Sequence, residues 1–180
     1  MRCGNLGERE EGFELQRRLA AKSYEDVVRW QRLGRMSRQL GRYSEATQAY
    51  ERVLAREPRH QMARLGLGCA AARYGDHGTA IRELEGVVLL HRESFEAHLH
   101  LGIAYDLAGR YEEALERYGA ATVLQPTHSE ARLLLGDAMV RLGRLADAMA
   151  EYRKVLTANP NNARAREKLE ATVVRLRGGS

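Results

Sequence analysis

The residues that could do chemistry are few. His91, His98 and His100 sit close together in sequence, Glu112, Glu113 and Glu116 form an acidic cluster, and Cys3 and Cys69 are the two cysteines. A metal pair on a helix needs ligands at i, i+3 or i, i+4 so that both face one way. His98 and His100 are two apart and point to different sides, and His91 falls across a turn. The carboxylates read as a solvated helix face, with Glu113 and Arg117 spaced for an i, i+4 ion pair. Two cysteines without a metal-binding spacing read as free thiols rather than a disulfide framework. LGLGC, residues 65–69, resembles a lipid-attachment box, but it is internal and follows no signal. There is no phosphate-binding glycine loop, no HExxH and no nucleophile elbow. The expectation is no enzyme, no cofactor and no metal.

Around these residues lies a strict period. Leu33, Leu67, Leu101 and Leu135 form one column at intervals of 34, followed by Gly34, Gly68, Gly102 and Gly136. Gly41, Gly75, Gly109 and Gly143 form a third column, and Ala46, Ala80, Ala114 and Ala148 a fourth. Each unit splits into two helical patterns broken at the third column, where glycine tolerates a left-handed backbone. All three prolines, Pro58, Pro126 and Pro160, share one column, where a lost amide donor stops the second helix. A glycine inside a helix costs about 1 kcal/mol relative to alanine, so the Gly34 column implies close packing, expected against the Ala46 column. Trp30, Tyr43, Tyr50, Leu84, Tyr111, Tyr118 and Tyr152 are the expected space-filling residues between helices.

Composition agrees with a repeat-built interior: 180 residues hold one Trp and two Phe, with 44% hydrophobic and 29% charged residues. The N-terminus lacks the apolar run of a secretory signal, and no segment has the apolar length to cross a bilayer. The expected location is cytoplasmic, or peripheral to an assembled structure.

The first unit places Trp30, Leu33, Gly34, Gly41, Tyr43, Ala46, Tyr50 and Pro58 in the order of a tetratricopeptide repeat, and the chain resembles that family across about three quarters of its length. The resemblance implies an all-α, right-handed superhelical solenoid of helix-turn-helix repeats with a C-terminal capping helix. Repeats are expected at 27–60, 61–94, 95–128 and 129–162, a packing helix within 1–26 through Phe13, Leu15 and Leu19, a cap at 163–177 and a flexible tail at 178–180. Repeat 2 departs most: Arg92 replaces proline, His77 replaces tyrosine, and Gly66, Gly78 and Gly86 are additional helix weakeners. It is the unit expected to be most mobile.

In proteins similar to this one, first helices line a concave face. The residues expected there are Arg32, Arg35, Arg38, Leu65, Cys69, Arg73, Leu99, His100, Ile103, Asp106, Leu133 and Asp137: basic at the start, apolar in the middle, acidic beyond. An apolar patch left in water argues for a partner, so the expected function is a non-enzymatic adaptor or assembly scaffold holding a helix or extended peptide of another protein. Small proteins of this kind are similar to bacterial scaffolds of organelles such as magnetosomes, to pilus-assembly factors and to secretion chaperones. The clamp with which chaperone-binding members grip a C-terminal carboxylate is missing, since its positions read Gln31, Arg35, Gly66, Glu96 and His100.

Charge is uneven along the chain. Residues 27–60 carry eight Arg against three Glu, and 95–128 two Arg against five acids. This polarity suits an acidic partner or a head-to-tail homo-oligomer. The net charge of +5 raises nucleic acid as an alternative, with the basic first repeat and C-terminal helix as its site. It ranks below protein because the apolar series suits no base edge and the arginines lack interleaved exposed aromatics.

Overall fold

The computed structural model describes residues 6–22 and 26–178, and the expectations for Cys3, Gly179 and Ser180 lie outside them. The described residues form ten α-helices and no strand: α1 Leu6–Lys22, α2 Val27–Gln39, α3 Tyr43–Arg56, α4 Gln61–Tyr74, α5 His77–Leu90, α6 Phe95–Leu107, α7 Tyr111–Leu124, α8 Ser129–Arg141, α9 Leu145–Ala158 and α10 Ala163–Gly178. They fall into two compact units, Met1–Val87 and Val88–Ser180, divided within α5.

In the first unit α3 packs against both α2 and α4. The Tyr50 ring makes that possible. It is 2% exposed, and a Cβ on Gly34 would come within 2.9 Å of it and one on Gly66 within 2.4 Å. The ring is therefore wedged against α2 and α4 at two points where only hydrogen fits. Gly68 yields to Leu84 in the same way, at 2.5 Å. The Gly34 column thus makes room for the large residue of the second helix, whose atoms are the nearest to each of its glycines. Gly66 is likewise a packing residue and more than a weak spot in its helix. Phe13 of α1, 1% exposed, packs with Leu33 and Ala49 under the Arg42 guanidinium, 4.4 Å from the ring centre. Leu15 is 54% exposed, because two residues along a helix turn a side chain to the opposite side.

The second unit repeats the scheme. Tyr118 packs over Gly102 and Tyr152 over Gly136, where a Cβ would approach to 2.6 and 2.4 Å. The last core joins Leu133, Tyr152 and Val155 to Ala165 of α10, with Leu169 packed on it. Gly178, expected in the flexible tail, closes α10 as a helical residue.

Two further columns emerge only from the structure. Asp26, His60, Ser94, His128 and Asn162, 34 apart, each accept a hydrogen bond from the backbone N–H three residues on, which caps the helix that follows. Four residues after each of the last four caps, Arg64, His98, Arg132 and Arg166 reach back to the carbonyls of Pro58, Arg92, Pro126 and Pro160. Each of these contacts clasps the turn between two helix pairs. The glycines at 41, 75, 109 and 143 all take positive φ, between 74° and 100°, and end the first helices as their column implied.

Candidate functional site

In the first unit the expected site residues lie on two helices without a single acid. The sequences of α2, VVRWQRLGRMSRQ, and α4, QMARLGLGCAAARY, contain six arginines and no Asp or Glu. Arg29 is paired with Asp26 at 2.9 Å, and Arg64 is held by the Pro58 carbonyl. Arg32, Arg35, Arg38 and Arg73 are exposed, and among the described residues no carboxylate forms an ion pair with them. Three-residue spacing puts Arg32, Arg35 and Arg38 along one side of α2. Arg38 reaches the Tyr50 hydroxyl, and burial together with Cys69 raises that hydroxyl's pKa against the pull of Arg38 and Arg35. Cys69, partly buried on α4, feels both Arg38 and Arg73; burial outweighs them and pushes its thiol up to about 12. Leu65 is partly exposed. Thus Arg35, Arg38, Arg73, Tyr50 and Cys69 come together, with Arg32 one turn earlier on α2.

In the second unit Leu99, His100 and Ile103 on α6 are partly exposed, Leu99 leaning on the cluster of Phe95, Ala121 and Ala131. The two acids expected to extend the site, Asp106 and Asp137, are already engaged, and so is Glu130 beside them on α8. Arg141 lies 3.1 Å from Asp106, Lys168 of α10 lies 2.8 Å from Asp137, and Arg164 lies 2.6 Å from Glu130. Burial still raises the Asp106 pKa, opposed by Arg141. Leu133 is 2% exposed, in one core with α9 and α10, so its place among exposed partner-binding residues is corrected. The helix after the last repeat folds over the apolar position that would otherwise face water.

The tyrosines of this unit differ. Tyr152 donates to Asp137 at 2.7 Å, while the buried Tyr118 hydroxyl has no hydrogen-bond partner among the described residues. The residue one period before Asp137 is Ile103, which offers no acceptor. Both hydroxyls have raised pKa values, first from burial and then from a neighbouring carboxylate: Asp106 for Tyr118, Asp137 for Tyr152.

The other sequence candidates resolve into structure. His98 is a turn clasp. Glu113 pairs with Arg110 at 2.6 Å and Arg117 with Glu116 at 3.2 Å, so the Glu113–Arg117 pair does not form; Arg110, just before α7, lies nearer. The described residues contain no group of three or more His, Cys, Asp or Glu able to hold a metal ion. None of their helices is long and apolar enough to cross a membrane.

Comparison with known proteins adds the lineage. A family model described as a tetratricopeptide repeat matches residues 32–85, 65–121 and 102–163. No curated protein matches the chain by sequence. Among solved structures it is similar to MamA from Desulfovibrio magneticus RS-1, with 25% identity and a TM-score of 0.79 over 87% of this chain and 89% of that one. A thermophilic repeat protein from Thermus thermophilus gives 23% identity and 0.73 over 94% and 92%. YrrB, described as having an unusual peptide-binding site, gives 19% and 0.74 over 90% and 84%.

Proposed function

Since this chain belongs to the tetratricopeptide repeat family, a family of non-catalytic protein-interaction modules, we propose that it is an adaptor or assembly scaffold whose first helices hold a helix or extended peptide of another protein. The observation that carries this reading is that Leu65, Leu99 and Ile103 stay partly exposed on first helices, where burial by a partner recovers about 25 cal/mol per Å² of apolar surface. A peptide ligand, the kind named for YrrB, suits such positions. Self-association belongs to the same reading, as does an assembled structure such as a bacterial organelle, a pilus or a secretion machine, with the chain cytoplasmic or peripheral to it.

Size-exclusion chromatography with light scattering, over a range of salt, tests the reading on the wild type and a Leu99→Glu, Ile103→Glu variant. Assembly by the wild type that the folded variant loses supports self-association through α6. If neither assembles, a peptide-library selection comparing the two reads partner binding, and equal recovery of peptides overturns the role of Leu99 and Ile103.

A second reading has one observation in its favour. Tyr74 is 60% exposed and adjoins Arg73, so the arginines do have one exposed aromatic for a base to stack on. Single-stranded RNA binding at physiological salt, falling steeply as salt rises, would favour it.

A further inference from the structure

Four exposed like charges on two helices that contain no acid repel one another, and among the described residues the fold supplies no carboxylate to pair with them. Elsewhere it does supply partners: Arg17, Arg42, Arg110, Arg132, Arg141, Arg144 and Arg164 all have a carboxylate within 3.1 Å. The contrast marks the surface of α2 and α4 as one left open to counter-charges from a partner. Resting on the protein-interaction reading above, we propose that this surface captures a carboxylate-rich segment of a partner protein, whose Asp and Glu side chains pair with Arg32, Arg35, Arg38 and Arg73.

The geometry favours a peptide. Three residues of helix advance about 4.5 Å, so Arg32, Arg35 and Arg38 present a guanidinium at nearly each turn, the step at which acids recur along one side of a partner helix. Guanidinium forks match carboxylates with two parallel hydrogen bonds. Arg38 is already steadied by the Tyr50 hydroxyl, and Tyr50 is fixed between two glycines, so less freedom is lost when a carboxylate docks. Nucleic acid is disfavoured because, among the described residues of the first unit, Tyr74 is the one well-exposed aromatic beside the arginines. A second copy of the chain is the weaker occupant: of the first-helix acids of the second unit, Asp106, Glu130 and Asp137 already have basic partners, which leaves the exposed Glu96 alone to face four arginines.

The test is selection of a phage-displayed random linear peptide library on the full chain, with parallel selections on Arg35→Glu, Arg38→Glu and on a control, Arg59→Glu, in an exposed turn. Circular dichroism establishes that each variant folds, and a milder Arg35→Gln, Arg38→Gln variant covers failure of the charge reversal. The expected result is peptides enriched in Asp and Glu that bind wild type and control alike. Their binding should weaken at least ~10-fold in the arginine variant, as for close charge pairs at interfaces, and also weaken as salt rises. Peptides without acidic bias, or acidic peptides bound equally by the arginine variant, overturn the proposal. So does retention of a random single-stranded RNA pool in place of peptides, or arginine-dependent self-association. Non-acidic peptides lost in the Leu99→Glu, Ile103→Glu variant leave the interaction reading standing while this one falls. Recovery of no peptide at all overturns both.

Discussion

Tyr118 and Tyr152 occupy one column, yet only one has an acceptor for its hydroxyl. A buried donor without a partner costs about 1–3 kcal/mol, whereas a hydrogen bond to a charged group contributes about 1.5–3 kcal/mol. Tyr118→Phe is therefore expected to leave stability unchanged or raise it by up to ~1 kcal/mol, and Tyr152→Phe to lower it by about 1–2 kcal/mol; urea unfolding of the two variants compares them directly. Cys69 gives a second expectation at this scale. An ordinary thiol titrates near ~8.5, and in the fold Cys69 is pushed up to about 12. The folded pKa lies above the unfolded one, so the stability carried by the neutral thiol is intact below about pH 8.5 and is lost as pH climbs toward the folded value. At about pH 8, thiolate in the folded chain falls by a factor on the order of 10²–10³. Alkylation of Cys69 by iodoacetamide, followed by peptide mass spectrometry, should be slowed accordingly relative to urea-unfolded chain; equal rates would show the thiol unburied. The two columns of caps and clasps are invisible in the sequence for a chemical reason. Asp, His, Ser and Asn share an acceptor at the cap, and Arg and His share a donor at the clasp, so function repeats where identity does not.

The helices themselves were legible because their punctuation is strict: the glycine column at 41 and the prolines fixed where helices end. What decides their packing was only half legible. A glycine column announces close approach, but not what approaches, and the answer is a tyrosine or leucine from the second helix. Gly136→Ala therefore gains helix propensity yet forces a Cβ to 2.4 Å from Tyr152, with an expected net loss of about 1–3 kcal/mol. Gly119, in the middle of α7, would have nothing within 4 Å of an added Cβ, and Gly119→Ala should stabilise by up to about 1 kcal/mol. Thermal melts of the two variants should move in opposite directions. The site residues on α2 were readable as charge, and their lack of carboxylate partners among the described residues goes with the absence of acids on α2 and α4. Leu133 differs from its expectation because a position that faces outward in an inner repeat is covered in the last one, and no pattern within the repeat records where the repeats stop.

For the whole chain, sequence charge and structural charge tell different stories. Summed by repeat, the chain has a basic start and an acidic middle. The structure removes much of that contrast, because Asp106, Glu130 and Asp137 of the second unit are held by Arg141, Arg164 and Lys168, while Arg32, Arg35, Arg38 and Arg73 form no ion pair with a carboxylate among the described residues. Pairing depends on contacts made across helices, which a sum along the sequence cannot contain. Stability should also vary along the chain. The segment 61–94 carries Gly66, Gly78 and Gly86 in its helices and has Arg92 where other turns have proline. Amide hydrogen exchange is expected to show it opening more readily than its neighbours; equal protection would count the wedged glycine at 66 as full compensation for the others.

The turn contacts described above also govern how such a chain can lengthen. Each joint needs one acceptor at the cap, one donor four residues on and a carbonyl six residues before that donor, and a 34-residue unit supplies all three in register. A duplicate of residues 95–128 spliced in after His128 would find its first helix capped by His128, its histidine clasp facing the Pro126 carbonyl, and its own terminal histidine ready to cap Ser129 onward. Duplication by whole units is thus a change the fold absorbs without inventing a new connection, and a gene of this kind can extend its reach toward a partner in steps of one repeat.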